Sequence, residues 1–123
     1  MHRILVVEDS APQREMIVSL LKDKGMTVMA ASNGSEALEC VKQAVPHLVI
    51  TDVVMPVMNG YELIRQLRKP EAATVNVPIL VCSSKGEPFD EHWAKRQGAT
   101  DYIVKPFEPQ QLLAKVMALL QAQ

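Results

Sequence analysis

"LVITDVVMP", residues 48–56, runs through four strand-forming side chains and stops on a carboxylate, Asp52. Leu48, Val49, Ile50 and Thr51 are too few for a helix and are rich in β-branched groups. Their apolarity is continuous rather than alternating, which marks a strand covered on both faces of a parallel sheet. Four further short runs have the same character: "RILVVE" at 3–8, "MTVMAA" at 26–31, "VPILVCS" at 77–83 and "TDYIVK" at 100–105. With "HLVITD" at 47–52 they predict five strands, the first, third and fourth the most deeply buried.

Helical periodicity fills the intervals. Ser10 caps a segment carrying Met16, Ile17, Leu20 and Leu21 inward, and Gly25 ends it. From Ser35 the apolar face is Ala37, Leu38, Val41 and Val45, stopping at Pro46. From Asn59 it is Leu63, Ile64 and Leu67, stopping before Pro70. A fourth helix starts near Pro88 and closes at Gly98; a fifth runs from Pro109 through Leu112, Leu113, Val116, Leu119 and Leu120. Five strand–helix alternations predict a three-layer α/β/α sandwich with a five-stranded parallel sheet and right-handed crossovers.

Composition narrows the function classes. The 123 residues suit one domain and one core. Thirteen basic and 14 acidic residues give a net charge of −1 without long blocks of either sign, which argues against nucleic-acid and membrane-surface partners. Glu8 and Asp9 cut short the apolar segment that opens at Ile4, so no signal peptide is expected, and no run approaches the roughly 20 residues of a membrane span. Cys40 and Cys82 read as small buried thiols in a reducing, cytoplasmic setting. Three isolated histidines, His2, His47 and His92, offer no zinc spacing.

In open α/β sheets ligands bind beyond the carboxyl ends of the strands. Those ends carry Glu8-Asp9, Asp52, Ser83-Ser84 and Lys105-Pro106, while the second strand ends in uncharged Ser32 and Asn33. Alone, Glu8-Asp9 is a polar strand end, Lys105-Pro106 a solvated turn and Ser83-Ser84 a capping pair. Together, at the ends of four segments, they bring three acids, a hydroxyl and an ammonium to one crevice. Three close carboxylates call for a cation, and few oxygen ligands with room for water suit Mg²⁺. A metal and a lysine around one carboxylate suit a phosphoryl group, with Asp52 as nucleophile.

The motifs "VVEDS" (6–10), "DVVMPVMNG" (52–60), "PILVCSS" (78–84) and "GATDYIVKPF" (98–107) resemble the CheY-like receiver domains of two-component response regulators along the whole chain. The resemblance implies strand order 2-1-3-4-5, a single receiver domain over 1–123 without an effector domain, and phosphorylation of Asp52 by a histidine kinase. It further implies that Asp9 ligates Mg²⁺ directly, Glu8 largely through water, and Asp52 and the Val54 carbonyl complete the ligand set. Lys105 would pair with the phosphoryl group and precede a cis peptide, Ser83 would be the switch hydroxyl, and Tyr102 the aromatic switch. Glu8 stands where aspartate is common, and Ser83 where threonine is frequent. No enzymatic activity is implied beyond the domain's own phosphorylation and dephosphorylation. At the two positions that tune phosphoryl lifetime stand Val54, which cannot orient water, and Lys85, which can cover the phosphoryl oxygens; slow intrinsic hydrolysis follows.

Without an effector, output would pass from Ser83 and Tyr102 to a protein target on the surface of helix 4, strand 5 and helix 5. Phe89 and Trp93 on the fourth helix are either a partner-binding feature or an i,i+4 pair packed on the sheet. The segment "CSSKGEPFDEHWAKRQGATDYIVKPFEPQQL" (82–112) further resembles small regulators of type IV pilus motility and phototaxis, particularly cyanobacterial ones. An alternative role is a phosphate sink for another regulator. Two rivals differ in kind: a haloacid-dehalogenase-type phosphatase expects a second acid where Val54 stands, and a flavodoxin-like module expects a Ser/Thr/Gly loop where "EDSAPQ" stands.

Overall fold

A computed structural model describes residues 2–122. Its elements alternate as expected: β1 (Arg3–Val7), α1 (Ala11–Asp23), β2 (Thr27–Ala31), α2 (Gly34–Gln43), β3 (Leu48–Thr51), α3 (Gly60–Leu67), β4 (Ile79–Ser83), α4 (Pro88–Gln97), β5 (Asp101–Val104) and α5 (Pro109–Gln121). The five strands are parallel in the order β2-β1-β3-β4-β5. β3 and β4 are buried throughout and β1 nearly so, as their unbroken apolarity requires, while edge strand β2 is half open to solvent.

Side-chain alternation divides the core in two. Leu5, Val7, Val49, Ile79, Val81 and Tyr102 point to α2, α3 and α4, where Ala37, Leu63, Ile64, Leu67 and Ala94 meet them. Ile4, Val6, Leu48, Ile50, Leu80 and Ile103 point the other way, to Ile17 and Leu21 of α1 and Leu112, Val116 and Leu120 of α5. Each such large aliphatic contributes about 2 kcal/mol by burial.

Helix ends follow the capping residues. Ser10, Asn33 and Asn59 each accept an N–H of the first turn, and Gly25 and Gly98 adopt the left-handed conformation that ends α1 and α4. Two expectations are corrected. α2 stops at Gln43 and Ala44 is extended, so Val45 leaves the helix and is exposed; a residue so close to Pro46 is steered out of the helical region. Met16 also faces solvent, because the inward stripe of α1 runs through Ile17 and Leu21. Cys82 is buried, which pushes its thiol up to about 12, and Cys40 is only partly buried; both are free.

Arg68, the C-cap of α3, ties three segments together. Its Nε donates to the Gly98 carbonyl at 2.9 Å, and Nη1 to the carbonyls of Val77 at 2.6 Å, Val75 at 3.0 Å and Thr74 at 3.2 Å. An arginine cannot shed its proton, so carbonyls of the segment leading into β4 and the Gly98 carbonyl at the end of α4 must satisfy it. Burial draws its guanidinium below the ordinary value. Arg68→Ala is expected to cost about 2–4 kcal/mol in urea unfolding, with little recovery in Arg68→Lys, which cannot fork to several carbonyls.

Candidate functional site

The carboxyl edge of the sheet sets the site. Val7 pairs with both Ala31 and Thr51, and Thr51 with Val81. The ladder then continues one bond further on each strand: the Glu8 N–H reaches the Ala31 carbonyl at 3.0 Å, Asp52 N–H the Val7 carbonyl at 3.1 Å, and Lys105 N–H the Ser83 carbonyl at 2.8 Å. Glu8, Asp52, Ser83 and Lys105 are therefore held by sheet hydrogen bonds, not by loops. The crevice opens where β1 has β2 on one side and β3 on the other, the reversal point of the strand order.

Glu8, Asp9 and Asp52 bring carboxylate oxygens within 4.8 Å of one another. Lys105 Nζ donates to Asp52 Oδ2 at 2.8 Å, to Glu8 Oε1 at 2.5 Å and to Gln13 Oε1. Asp52 Oδ1 accepts the Val53 N–H at 2.6 Å, and Glu8 Oε2 the Ser10 N–H at 3.1 Å. Glu8 is 3% exposed, and that burial, reinforced by the Asp52 charge, raises its pKa above the usual carboxylate range despite Lys105. Burial alone would lower the Lys105 ammonium; its bonds to Asp52 and Glu8 outweigh that and hold it above its ordinary value. Ionised, three carboxylates face one ammonium and leave two negative charges uncompensated. Such a set can hold a hard divalent cation.

The remaining expected residues lie around this centre. Ser83 is 1% exposed, and its Oγ accepts the Lys85 N–H at 3.2 Å. Tyr102 is buried and donates its hydroxyl to the Lys85 carbonyl at 2.7 Å. Val54, in the loop between β3 and α3, has its side chain 62% exposed. The Lys105-Pro106 peptide is cis. Phe89 and Trp93 do form an i,i+4 pair, stacked at 6.2 Å and 13°, but they face solvent at 67% and 40% exposure instead of packing on the sheet.

A family model, the response regulator receiver domain, matches residues 4–117. The chain belongs to that family. The receiver domain is 38% identical over 120 residues to protein PilH of Pseudomonas aeruginosa, covering 98% of each chain. It spans about half the length of several other curated relatives, among them DNA-binding response regulators. The chemotaxis response regulator CheY4 of Vibrio cholerae superposes with a TM-score of 0.90 at 35% identity, over 97% of this chain and 98% of that one. The receiver domain of the sensor histidine kinase PA1611 of Pseudomonas aeruginosa, solved with a magnesium ion coordinated in its active-site cleft, gives 0.88 at 25% identity over 98% of both chains. The fold is thus CheY-like, as the strand order requires. Among the described residues, no helix is long and apolar enough to cross a membrane.

Three residues of the receiver domain's site were not anticipated. Gln13 holds Lys105 from the first turn of α1, Thr51 donates its hydroxyl to the Asp52 carbonyl at 2.9 Å, and Gly60 lies against the Asp52 backbone. Gln13 had a legible signal: it stands one turn into a helix that opens beside Glu8-Asp9. Gly60 is required by close approach, since a Cβ there would lie 2.1 Å from the Asp52 carbonyl oxygen and 2.8 Å from the Val53 Cα. Its N–H also donates to the Val53 carbonyl at 2.8 Å. Gly60→Ala is expected to lower stability by about 3 kcal/mol in chemical unfolding, because the clash is with backbone that the sheet holds fixed.

Proposed function

We propose that the chain is a phosphoacceptor that receives a phosphoryl group on Asp52 from a histidine kinase and signals by altered protein binding. One observation carries this: the Lys105 ammonium lies 2.8 Å from Asp52 Oδ2 inside a cluster of three carboxylates. Membership of the receiver family and 38% identity to PilH support it. An oxygen-only donor set with two uncompensated negative charges fits Mg²⁺, which keeps several waters. Asp9, Asp52 and the Val54 carbonyl would hold the ion, with Glu8 acting through water; when bound, it supplies positive charge against the phosphoryl oxygens.

A carboxylate oxygen of Asp52 attacks the phosphorus of a phosphohistidine. The new P–O bond forms as the P–N bond breaks, and the imidazole leaves with the electron pair. Lys105, held above its ordinary pKa, stays protonated and neutralises an equatorial oxygen. The Ser83 hydroxyl then turns to the phosphoryl group, which releases the Lys85 N–H it holds. Because Tyr102 also holds Lys85, through the carbonyl, the same residue links the phosphoryl site to the aromatic ring. That rearrangement reaches the N-terminal end of α4, beside exposed Phe89 and Trp93, where a target protein would dock. The chain catalyses only its own phosphorylation and dephosphorylation. The pattern in 82–112 and the likeness to PilH favour a pathway of pilus-based motility or phototaxis.

With acetyl phosphate or beryllofluoride and Mg²⁺, mass spectrometry and ¹⁹F NMR should show one adduct on the wild-type chain and none on Asp52→Asn. Phosphate-ester turnover, or an adduct surviving in Asp52→Asn, would overturn the assignment. Val54→Asn should speed loss of phosphate about tenfold, since an amide there can orient water; the gain stays below the roughly hundredfold of a full general base. An unchanged or slower rate would remove Val54 as a determinant of lifetime.

A further inference from the structure

Lysine has three N–H donors, and all three of Lys105 are used. Two go to the carboxylates of Asp52 and Glu8; the third goes to the neutral carbonyl of Gln13. An ammonium only donates, so the Gln13 amide must present its oxygen to Nζ, and its NH₂ group is left for another acceptor. Among the described residues nothing accepts a hydrogen bond from that NH₂.

The Gln13 side chain is exposed, but the turn of helix that carries it is fixed through its backbone. The Ser10 hydroxyl accepts the Gln13 N–H at 3.4 Å, the Ser10 N–H donates to Glu8 Oε2 at 3.1 Å, and Arg14 Nη1 donates to the Glu8 carbonyl at 2.8 Å. The first turn of α1 is therefore fastened to the same Glu8 that holds Lys105. Nζ lies 2.8 Å from Asp52 Oδ2, so a group bonded to Asp52 and touching Lys105 is a neighbour of the Gln13 amide.

We propose that Gln13 is a phosphoryl-binding residue. Its NH₂ donates to a terminal oxygen of the group on Asp52 while its carbonyl keeps the Lys105 ammonium beside the same group. The inference rests on the assignment of Asp52 as phosphoacceptor. Phosphoryl transfer depends mainly on positioning and charge stabilisation, and a neutral donor paired with a fixed cation serves both. Val54, on the other side of the acceptor in sequence, has no donor in its side chain to offer.

Beryllofluoride titrations in Mg²⁺, followed by ¹⁹F NMR, test this on the full chain and on Gln13→Met and Gln13→Glu. Methionine keeps the length and removes both the donor and the acceptor for Lys105; glutamate keeps an acceptor for Lys105, removes the donor and adds a negative charge. Both should bind beryllofluoride about 5- to 10-fold more weakly, the effect of one lost hydrogen bond. Phosphorylation by acetyl phosphate should slow to a similar degree, with thermal unfolding unchanged. Equal affinity in Gln13→Met and wild type would overturn the inference while leaving Asp52 in place. Wild-type affinity in Gln13→Glu would reduce Gln13 to a positioning residue for Lys105 and overturn the donor role. No adduct on the wild-type chain would instead overturn the assignment of Asp52, and this inference with it.

Discussion

Two unbalanced negative charges at the carboxyl edge of the sheet govern everything else at the site. Glu8, Asp9 and Asp52 have no reason to sit together in a stable fold, since like charges this close repel and one of them is almost fully out of water. Lys105 answers one charge and leaves two. A protein built for stability alone would have replaced Glu8 with an apolar residue, because a partly compensated buried acid costs more than it returns. The arrangement makes sense as a seat that can take positive charge, held in place by burial and hydrogen bonding.

The fold supplies the rigidity. Glu8, Asp52 and Lys105 each stand one step beyond the last paired row of their strand and are still bonded to the neighbouring strand's backbone, while Ser83 lies in the last paired row. Loops usually carry functional residues with some freedom; here Glu8, Asp52 and Lys105, although just past the strand ends, each keep a sheet hydrogen bond, and Asp9 and Val54 lie in the loops that follow. On the far side, Arg68 fastens the end of α3 to the α4–β5 turn at Gly98, so α4 is anchored at its C-terminus. Its N-terminal end borders the loop where Ser83 and Tyr102 both hold Lys85. The helix is thus tied to α3 at one end and borders the Lys85 turn at the other.

Much of this was legible in the chain. Continuous Val/Ile runs identify the three central strands, because only a strand covered on both faces tolerates so little polarity, and the charged residues that interrupt them mark the crevice. The helix starts at Ser10 and Asn59 are legible because their side chains cap by a local hydrogen bond. Tertiary facts were harder. The exposure of Met16 and Val45 depends on how far a helix extends and how it is rotated, which periodicity gives only to within a residue or two. Phe89 and Trp93 have a spacing that fits core and surface equally; the sheet decides, because Ala94 takes the single inward position of α4. Gln13 escaped because its partner, Lys105, is 92 residues away.

Gly60 carries an implication for how a signal can leave. The Asp52 backbone has its N–H bonded to Val7 and its carbonyl oxygen pressed against Gly60, with Thr51 donating to the same oxygen. That segment behaves as an anvil: it receives the blow without travelling. At the end of β4 the Ser83 hydroxyl is buried, while the turn at Ser84 and Lys85 that follows it is exposed. Any displacement at Asp52 would therefore fall on the side chains and turns around it, not on its own backbone.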